Sequence, residues 1–442
     1  MLKIDFFPPD TISEYETKIA AKVKERNRDN DKIKYIPDTS GSSNEYEISI
    51  HDLLTLERKE LFAISGIRLY MCICSLQKFK VKSNIELLCK LISEYPDKVH
   101  EIENRRGRYK YEINCTTYQT TCKYDTTPDD IITEAADLIK VKLSLYDADY
   151  ANKYFKSTID SIAELNKVIK KMFSDLEKSL CICKTNDKST EKFIIDYSIL
   201  PDDLRHKIMN SLGVRTCPYC NRNYITRYGT SAEKSTADLD HFYQKEQYPL
   251  FALSLFNFVP SCSVCNSRMK NVHPADDTLY PYEEGFEDDA HFELKPTGKN
   301  LSEISTLHLF QALKDTNCKE FNVEIVADSD TPSDKKERIE KSKELFHLTE
   351  VYANHKQDAL EVALRTRVYC EGTYKTYCEK LLKKLEESGM KMSSSYDLEA
   401  SMFSDIINDE WLMFGIFFND EKRRFNKPLS KMIYDIYKSG KK

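Results

Sequence analysis

Four cysteines in two C-x-x-C pairs carry the clearest chemistry in the chain. Cys217 and Cys220 form the first pair, and Cys262 and Cys265 the second. A C-x-x-C turn lets two thiolates reach one ion. Two such knuckles complete a tetrahedral four-sulfur shell, which suits Zn²⁺ and leaves no open position, so the expected ion is structural. A redox pair is the rival chemistry, but a thioredoxin-like site needs one pair inside an α/β fold, not two. The 41 residues between Cys220 and Cys262 exceed what a simple zinc ribbon needs. Something else is enclosed in that loop.

The enclosed stretch TADLDHF (236–242) alternates in the manner of a short strand. A strand points neighbouring side chains to opposite sides, so Asp240 and His241 face different ways. The run YPLFALSLFNFVP then leads through Asn257, and Asn266 follows the last cysteine directly. Asn266, Arg268 and Lys270 are placed for the start of a helix, where backbone N–H groups and the helix dipole favour phosphate. Lys245 and Tyr243 are further candidates for phosphate contact, with solvated side chains as the alternative. His273, in NVHPADD, reads either as an additional ligand or as an ordinary loop histidine.

Together these residues resemble the HNH, or ββα-metal, endonuclease family in its four-cysteine, zinc-stapled form. The family pattern is C-x-x-C, Asp-His on a strand, Asn in a loop, then C-x-x-C-Asn with a basic residue on a helix. The match covers about an eighth of the chain, roughly residues 217–275. The resemblance implies that His241 is the general base acting on the attacking water. It implies that Asp240 and Asn266 hold a catalytic Mg²⁺ or Mn²⁺, and that Asn257 braces the loop and orients His241. It further implies that Arg268, Lys270 and Lys245 bind substrate. The longer context, including the late NKPLSKMIYDI, resembles bacterial HNH proteins that serve as nuclease subunits of anti-phage systems of the Septu and retron-linked kind. From this follow the expected substrate, DNA more than RNA, and a separate ATPase partner subunit. A homo-oligomer is also open, since one module makes one cut. The alternative is a catalytically silent zinc-stapled subunit that binds nucleic acid or acts as a scaffold.

The remaining sequence must position this module. The chain has 442 residues, 31% of them charged, and a net charge of -6. Its length implies about two to three domains. It has no apolar run of 18 residues or more, and none of the features of a signal peptide at its start, so a cytoplasmic protein without a membrane segment is expected. Net charge does not advertise nucleic-acid binding, but two locally basic segments could meet a polyanion. Residues 104–110 hold four basic residues and no acid, and residues 421–442 hold eight Lys/Arg against two acids. A solvated turn and a solvated tail are the plain alternatives. Ten further cysteines lie outside the two pairs and read as small buried hydrophobes.

Helical periodicity dominates on either side of the module. Helices are expected over 10–27, 49–65, 83–95, 200–213, 302–315, 334–348 and 428–439. Longer ones are expected from Asp149, as an N-cap, to Leu180, and from about Glu350 to Ser388. Residues 101–124 read as a β-hairpin and 321–328 as a strand. The expected fold is mostly α with a central zinc-stapled ββα-metal module, α+β overall. The expected organisation is a helical region over 1–200, the nuclease module over 201–300 and a second helical region over 301–442.

Overall fold

The computed structural model describes residues 1–37, 46–76, 99–105, 108–113, 116–120, 129–182, 192–229, 234–271, 275, 277–315, 318–370 and 426–440, with isolated positions between 380 and 414. The chain is a mixture of helices with small antiparallel sheets. It sorts into two compact units, both discontinuous in sequence. One contains Met1–Thr11, Asp202–Phe242 and Phe258–Lys442, and the other Ile12–Pro201 and Tyr243–Asn257. No helix among the described residues is long and apolar enough to cross a membrane.

The second of these units is built from helices. Pro9–Arg26, Ile50–Thr55, Arg58–Ala63, Ile67–Ser75, Asp129–Ser144, Ala148–Tyr154 and Ile162–Leu180 account for most of it. The Tyr- and Thr-rich stretch forms a three-stranded antiparallel sheet, Val99–Arg105, Arg108–Ile113 and Thr116–Thr120. Two expected helices are broken by local capping. Over 49–65, Ser49 accepts a hydrogen bond from the Asp52 N–H and caps the first helix, while Leu56 and Glu57 are both extended. Over 149–180, the N-cap is Asp147 rather than Asp149, and Ser161 caps a separate second helix. Phe155 and Ile159 are spaced like helical neighbours, yet they lie on the connection and are buried there. The helix expected over 83–95 lies outside the described residues.

The segment Tyr243–Asn257 belongs to this helical unit. It folds into short 3-10 turns, Pro249–Leu253 and Leu255–Asn257. Leu250, Phe251 and Leu253 are fully or almost fully buried. The Tyr15 hydroxyl donates to the Leu253 carbonyl at 2.6 Å, and the Leu250 N–H donates to the Tyr70 hydroxyl at 2.9 Å. The Gln247 side chain donates to the Cys74 carbonyl at 3.2 Å. Thus the apolar run that separates the Asp-His step from the second cysteine pair is core of a helical body, not a surface loop.

The other unit carries both cysteine knuckles. A two-stranded sheet, Ala290–Pro296 with Phe321–Ala327, supplies its larger core. Ala290, Phe292 and Leu294 alternate inward and are joined from the partner strand by Phe321, Val323 and Ile325, the period-two pattern of a one-sided sheet. The helices Ser333–Leu345 and Lys356–Arg365 belong to the same unit. The helical run expected from Glu350 is interrupted, with Leu348–Tyr352 and Lys356–Arg365 separated by a 3-10 turn, and most of it beyond 370 lies outside the described residues.

The C-terminal helix Ser430–Gly440, expected over 428–439, packs into its unit and is not a solvated tail. Met432 and Ile436 are fully buried, and so, at 2% exposure, is Lys431. The Lys431 ammonium donates to both oxygens of Asp435 at 2.6 Å and to the Ala290 carbonyl at 3.0 Å. Asp435 in turn accepts from the Phe292 N–H at 2.9 Å. An apolar stripe and an internally satisfied ion pair make this helix part of the core.

Candidate metal centre and adjoining carboxylate site

The first knuckle is formed by tight backbone closure. The Cys217 N–H donates to the Asn223 carbonyl at 2.9 Å, and the Asn221 N–H to the Cys217 carbonyl at 2.7 Å. The turn needs a left-handed residue at Asn221, with φ +48°, a conformation that asparagine tolerates better than most residues. The Asn221 side chain also anchors the C-terminal helix: its Oδ1 accepts from the Lys431 N–H at 3.0 Å, and its N–H₂ donates to the Lys427 carbonyl at 3.3 Å.

All four sulfurs of Cys217, Cys220, Cys262 and Cys265 lie within 4.8 Å of one another, and all four residues are buried. Tetrahedral Zn–S bonds of about 2.3 Å imply sulfurs about 3.8 Å apart, so this donor set fits zinc. Two N–H groups already point at sulfur. The Arg222 N–H lies 3.4 Å from Cys220 Sγ, and the Asn223 amide 3.2 Å from Cys262 Sγ. Such donors stabilise thiolates and orient metal ligands. Hydrogen bonds from Cys217, then Cys220 and Cys265, with a further one from Asn223, hold the Cys262 thiol low. Burial pushes Cys217 up. Without a cation the four sulfurs cannot all ionise in so small a volume. Among the other cysteines, Cys72, Cys74 and Cys318 are buried.

The Asp-His step lies on the strand Asp238–His241, which pairs antiparallel with Phe258–Ser261, Asp240 opposite Val259 and His241 opposite Phe258. The short helical segment Val264–Lys270 follows, beginning within the second knuckle. Asp240 is buried and His241 half-buried, as strand alternation requires. The His241 ring meets the Phe258 ring edge-to-face, with centroids 5.1 Å apart.

The helical segment meets the strand through two side-chain pairs, and these differ from the pair expected from sequence. Asn266 donates to Asp238 Oδ2 at 3.2 Å. Four residues on, the Lys270 ammonium donates to both oxygens of Asp240 at 2.8 Å, and also to the His241 carbonyl. Tyr219, from inside the first knuckle, donates its hydroxyl to Asp240 Oδ2 at 2.6 Å. Burial first, and then Asp240, push the Tyr219 phenol well above its usual range, which keeps it a proton donor.

Two of these contacts differ from the expected ones. Lys270, expected to bind substrate, is 1% exposed and spends its donors on Asp240 and the strand. Asp240 and Asn266, expected to share a divalent ion, are held on different partners. As they stand, the Asp240 oxygens do not fit a hard dication, because an ammonium already occupies them. The carboxylate Asp238 was not singled out from sequence, although its i, i+2 spacing from Asp240 puts both on one side of the strand. Tyr219, Asn221 and Asn223 were missed as well. Their only sequence signal is their position inside and just after a C-x-x-C turn.

The other candidate residues are dispersed. Asn257 lies in the helical unit, where its Oδ1 accepts from the Tyr243 N–H at 2.7 Å. Its N–H₂ donates to the carbonyls of Tyr243 and Phe251, both at 2.9 Å. It thus clasps the two ends of the 243–257 excursion together. Lys245 is half-buried, its ammonium 5.1 Å from the Tyr197 ring centroid and 3.9 Å from Glu246. Arg268 is exposed. His273 lies outside the described residues. No family model, curated protein or solved structure matches the chain.

Proposed function

We propose that the protein is a zinc-stapled HNH-type endonuclease that hydrolyses phosphodiester bonds, in DNA more than RNA, in the setting of bacterial defence. One observation carries the reading. A buried four-cysteine cluster brackets an antiparallel strand pair that bears Asp240 and His241, and a helical segment bearing Asn266 follows. A zinc staple alone needs none of those three side chains.

In this reading the zinc is structural, since four thiolates leave it no open position. His241 is the residue that takes a proton from water, because a neutral imidazole nitrogen can act as a general base. Packing against Phe258 limits the orientations open to its ring. Arg268, exposed two residues after Asn266, is available to a phosphate. A catalytic Mg²⁺ or Mn²⁺ belongs to the resemblance. Lys270 holds the carboxylate such an ion would use. A separate ATPase and self-association are further expectations of the same reading.

The same ion pair favours a second reading, in which the zinc fold survives as a catalytically silent nucleic-acid-binding or scaffold subunit. Nicking of supercoiled plasmid in Mg²⁺ or Mn²⁺ separates the two. The nuclease reading expects relaxed circles that disappear with His241→Ala. The silent reading expects none from either protein.

A further inference from the structure

The first knuckle opens into a small ribbon that joins it to the Asp-His strand. On one edge Thr216 bridges to Tyr224, and the Ile225 N–H donates to the Arg215 carbonyl at 2.8 Å. On the other edge the Thr236 N–H donates to the Thr226 carbonyl at 2.9 Å, Arg227 pairs with Ser235, and Tyr228 pairs with Lys234. Side chains alternate along such a segment. Ile225 turns inward and is buried, as is Ser235 opposite Arg227. Tyr224, Thr226 and Tyr228 fall on the other face and are exposed, the two tyrosines at 54% and 50%. Lys234, directly opposite Tyr228, shares that face and is exposed too. Four residues at about 3.3 Å each set the two tyrosines about 13 Å apart.

The charge of the ribbon is one-sided. Residues 213–229 and 234–237 hold three arginines, one lysine and no acid, in a chain whose net charge is -6. Arg222 and Arg227 are turned to the body, donating to His355 Nε2 and to the Asn210 carbonyl. Arg215 and Lys234 are exposed on the two edges. The next carboxylate along the chain, Asp238, accepts from Asn266. We propose that this face is a docking surface for single-stranded DNA, with Tyr224 and Tyr228 as stacking platforms for unpaired bases and Arg215 and Lys234 as phosphate contacts. The inference rests on the nucleic-acid reading of the module and names the form of its substrate. Basic side chains alone suit any polyanion. The tyrosines select among polyanions, because a base offers its flat face to a side-chain ring only when it is unstacked from its neighbours. Lys234 and Ser235 continue through Thr236 and Ala237 into the strand Asp238–His241, so a DNA strand held on the ribbon lies on the element that leads to His241.

Fluorescence anisotropy of a labelled single-stranded DNA of mixed sequence, titrated with the full-length protein without added Mg²⁺ or Mn²⁺, tests this. Tyr224→Ala combined with Tyr228→Ala is expected to weaken binding about tenfold or more, the scale of losing base stacking on an aromatic ring. Tyr224→Phe combined with Tyr228→Phe keeps the rings and is expected to bind as the parent does. Arg215→Gln combined with Lys234→Gln should reduce the slope of log affinity against log salt by about 1.4, about 0.7 for each phosphate contact. The alanine pair should leave that slope unchanged. Duplex of the same sequence is expected to bind more weakly than the single strand and to be indifferent to the tyrosines. A measurement on the unaltered protein needs no variant: photocrosslinking of a bromodeoxyuridine-containing strand should map to Tyr224 or Tyr228. Single strands bound equally well by the parent and the folded alanine pair overturn the docking surface and leave the nucleic-acid reading standing. So do crosslinks confined to other segments, and a duplex bound as tightly as the single strand. RNA of the same sequence bound more tightly than DNA overturns the occupant. A parent that binds neither single strand nor duplex overturns the nucleic-acid reading itself, and this inference with it.

Discussion

Tyr219 and Asp240 link the first cysteine knuckle to the carboxylate strand: the phenol of the one donates to Oδ2 of the other at 2.6 Å, deep in the protein. Tyr219 lies between Cys217 and Cys220, and its ring stacks on Phe346 with centroids 4.4 Å apart. The position of Asp240 is therefore tied to the integrity of the Cys217–Cys220 knuckle. Tyr219→Phe keeps the ring packing and removes only the donor. It is expected to cost about 1.5–3 kcal/mol, the usual worth of a hydrogen bond to a charged group, with zinc content unchanged. Urea denaturation together with elemental analysis checks both halves of that statement.

The four-cysteine cluster should carry one zinc ion per chain. Structural zinc sites couple metal binding to folding, so a strong chelator is expected to unfold the unit that holds the knuckles, and Cys262→Ser to lose both metal and thermal stability. Elemental analysis and a melting curve followed by circular dichroism give the readout. A metal-free protein that melts like the purified one would remove zinc from the fold.

The C-terminal helix should behave as core rather than as a charged tail. Removing residues from Lys427 onward takes away the Lys427 and Lys431 partners of the Asn221 side chain and leaves the buried Phe292 N–H without the Asp435 carboxylate. The truncated protein is expected to lose cooperative melting. The finer variant Ile436→Ala, at a fully buried position, is expected to cost about 2–5 kcal/mol. A truncated protein that melts as before would return the segment to the surface.

Glu293 contributes to acid sensitivity. Partial burial pushes the Glu293 carboxyl up, but hydrogen bonds from His291 and Lys295 outweigh it and hold the group below its usual range. The folded value is lower than the unfolded one. Its stabilisation is therefore present above the ordinary glutamate range, about pH 4.3, and is lost as pH falls through the depressed value. Glu293→Gln should flatten the stability profile below about pH 4.3 and leave its slope near neutrality unchanged. A parent and variant with parallel acid limbs would contradict it.

Much of this protein is legible in the residues, and the failures have physical causes. The cysteine spacing announced the cluster because ligand geometry is local to each knuckle. The strand at Asp238–His241, the helix Asp202–Ser211 and the strand Phe321–Ala327 follow from period and capping. The contacts of Lys270 were not legible because they depend on a carboxylate 30 residues away, and a basic residue after C-x-x-C-Asn looks the same whether it faces solvent or Asp240. The run 243–257 resembled a loop, yet its leucines and phenylalanines are core of a helical unit reached only through tertiary packing. Phe155 and Ile159 kept helical spacing across a break that the Ser161 cap decides. The apolar stripe of the basic tail, Met432 and Ile436, was legible in its spacing; the burial of Lys431 against Asp435 was not, because it depends on tertiary packing.

The central claim, that this site cuts phosphodiester bonds with His241 as its base, is tested most directly by single-turnover nicking of supercoiled plasmid, comparing the parent with His241→Ala at equal zinc content. A base acts in the transition state, so the variant should retain nucleic-acid binding and lose about a hundredfold or more in rate. The expected result is metal-dependent nicking by the parent and none measurable above background by the variant. Equal rates from the two proteins, or no nicking by the parent in either Mg²⁺ or Mn²⁺, would contradict it.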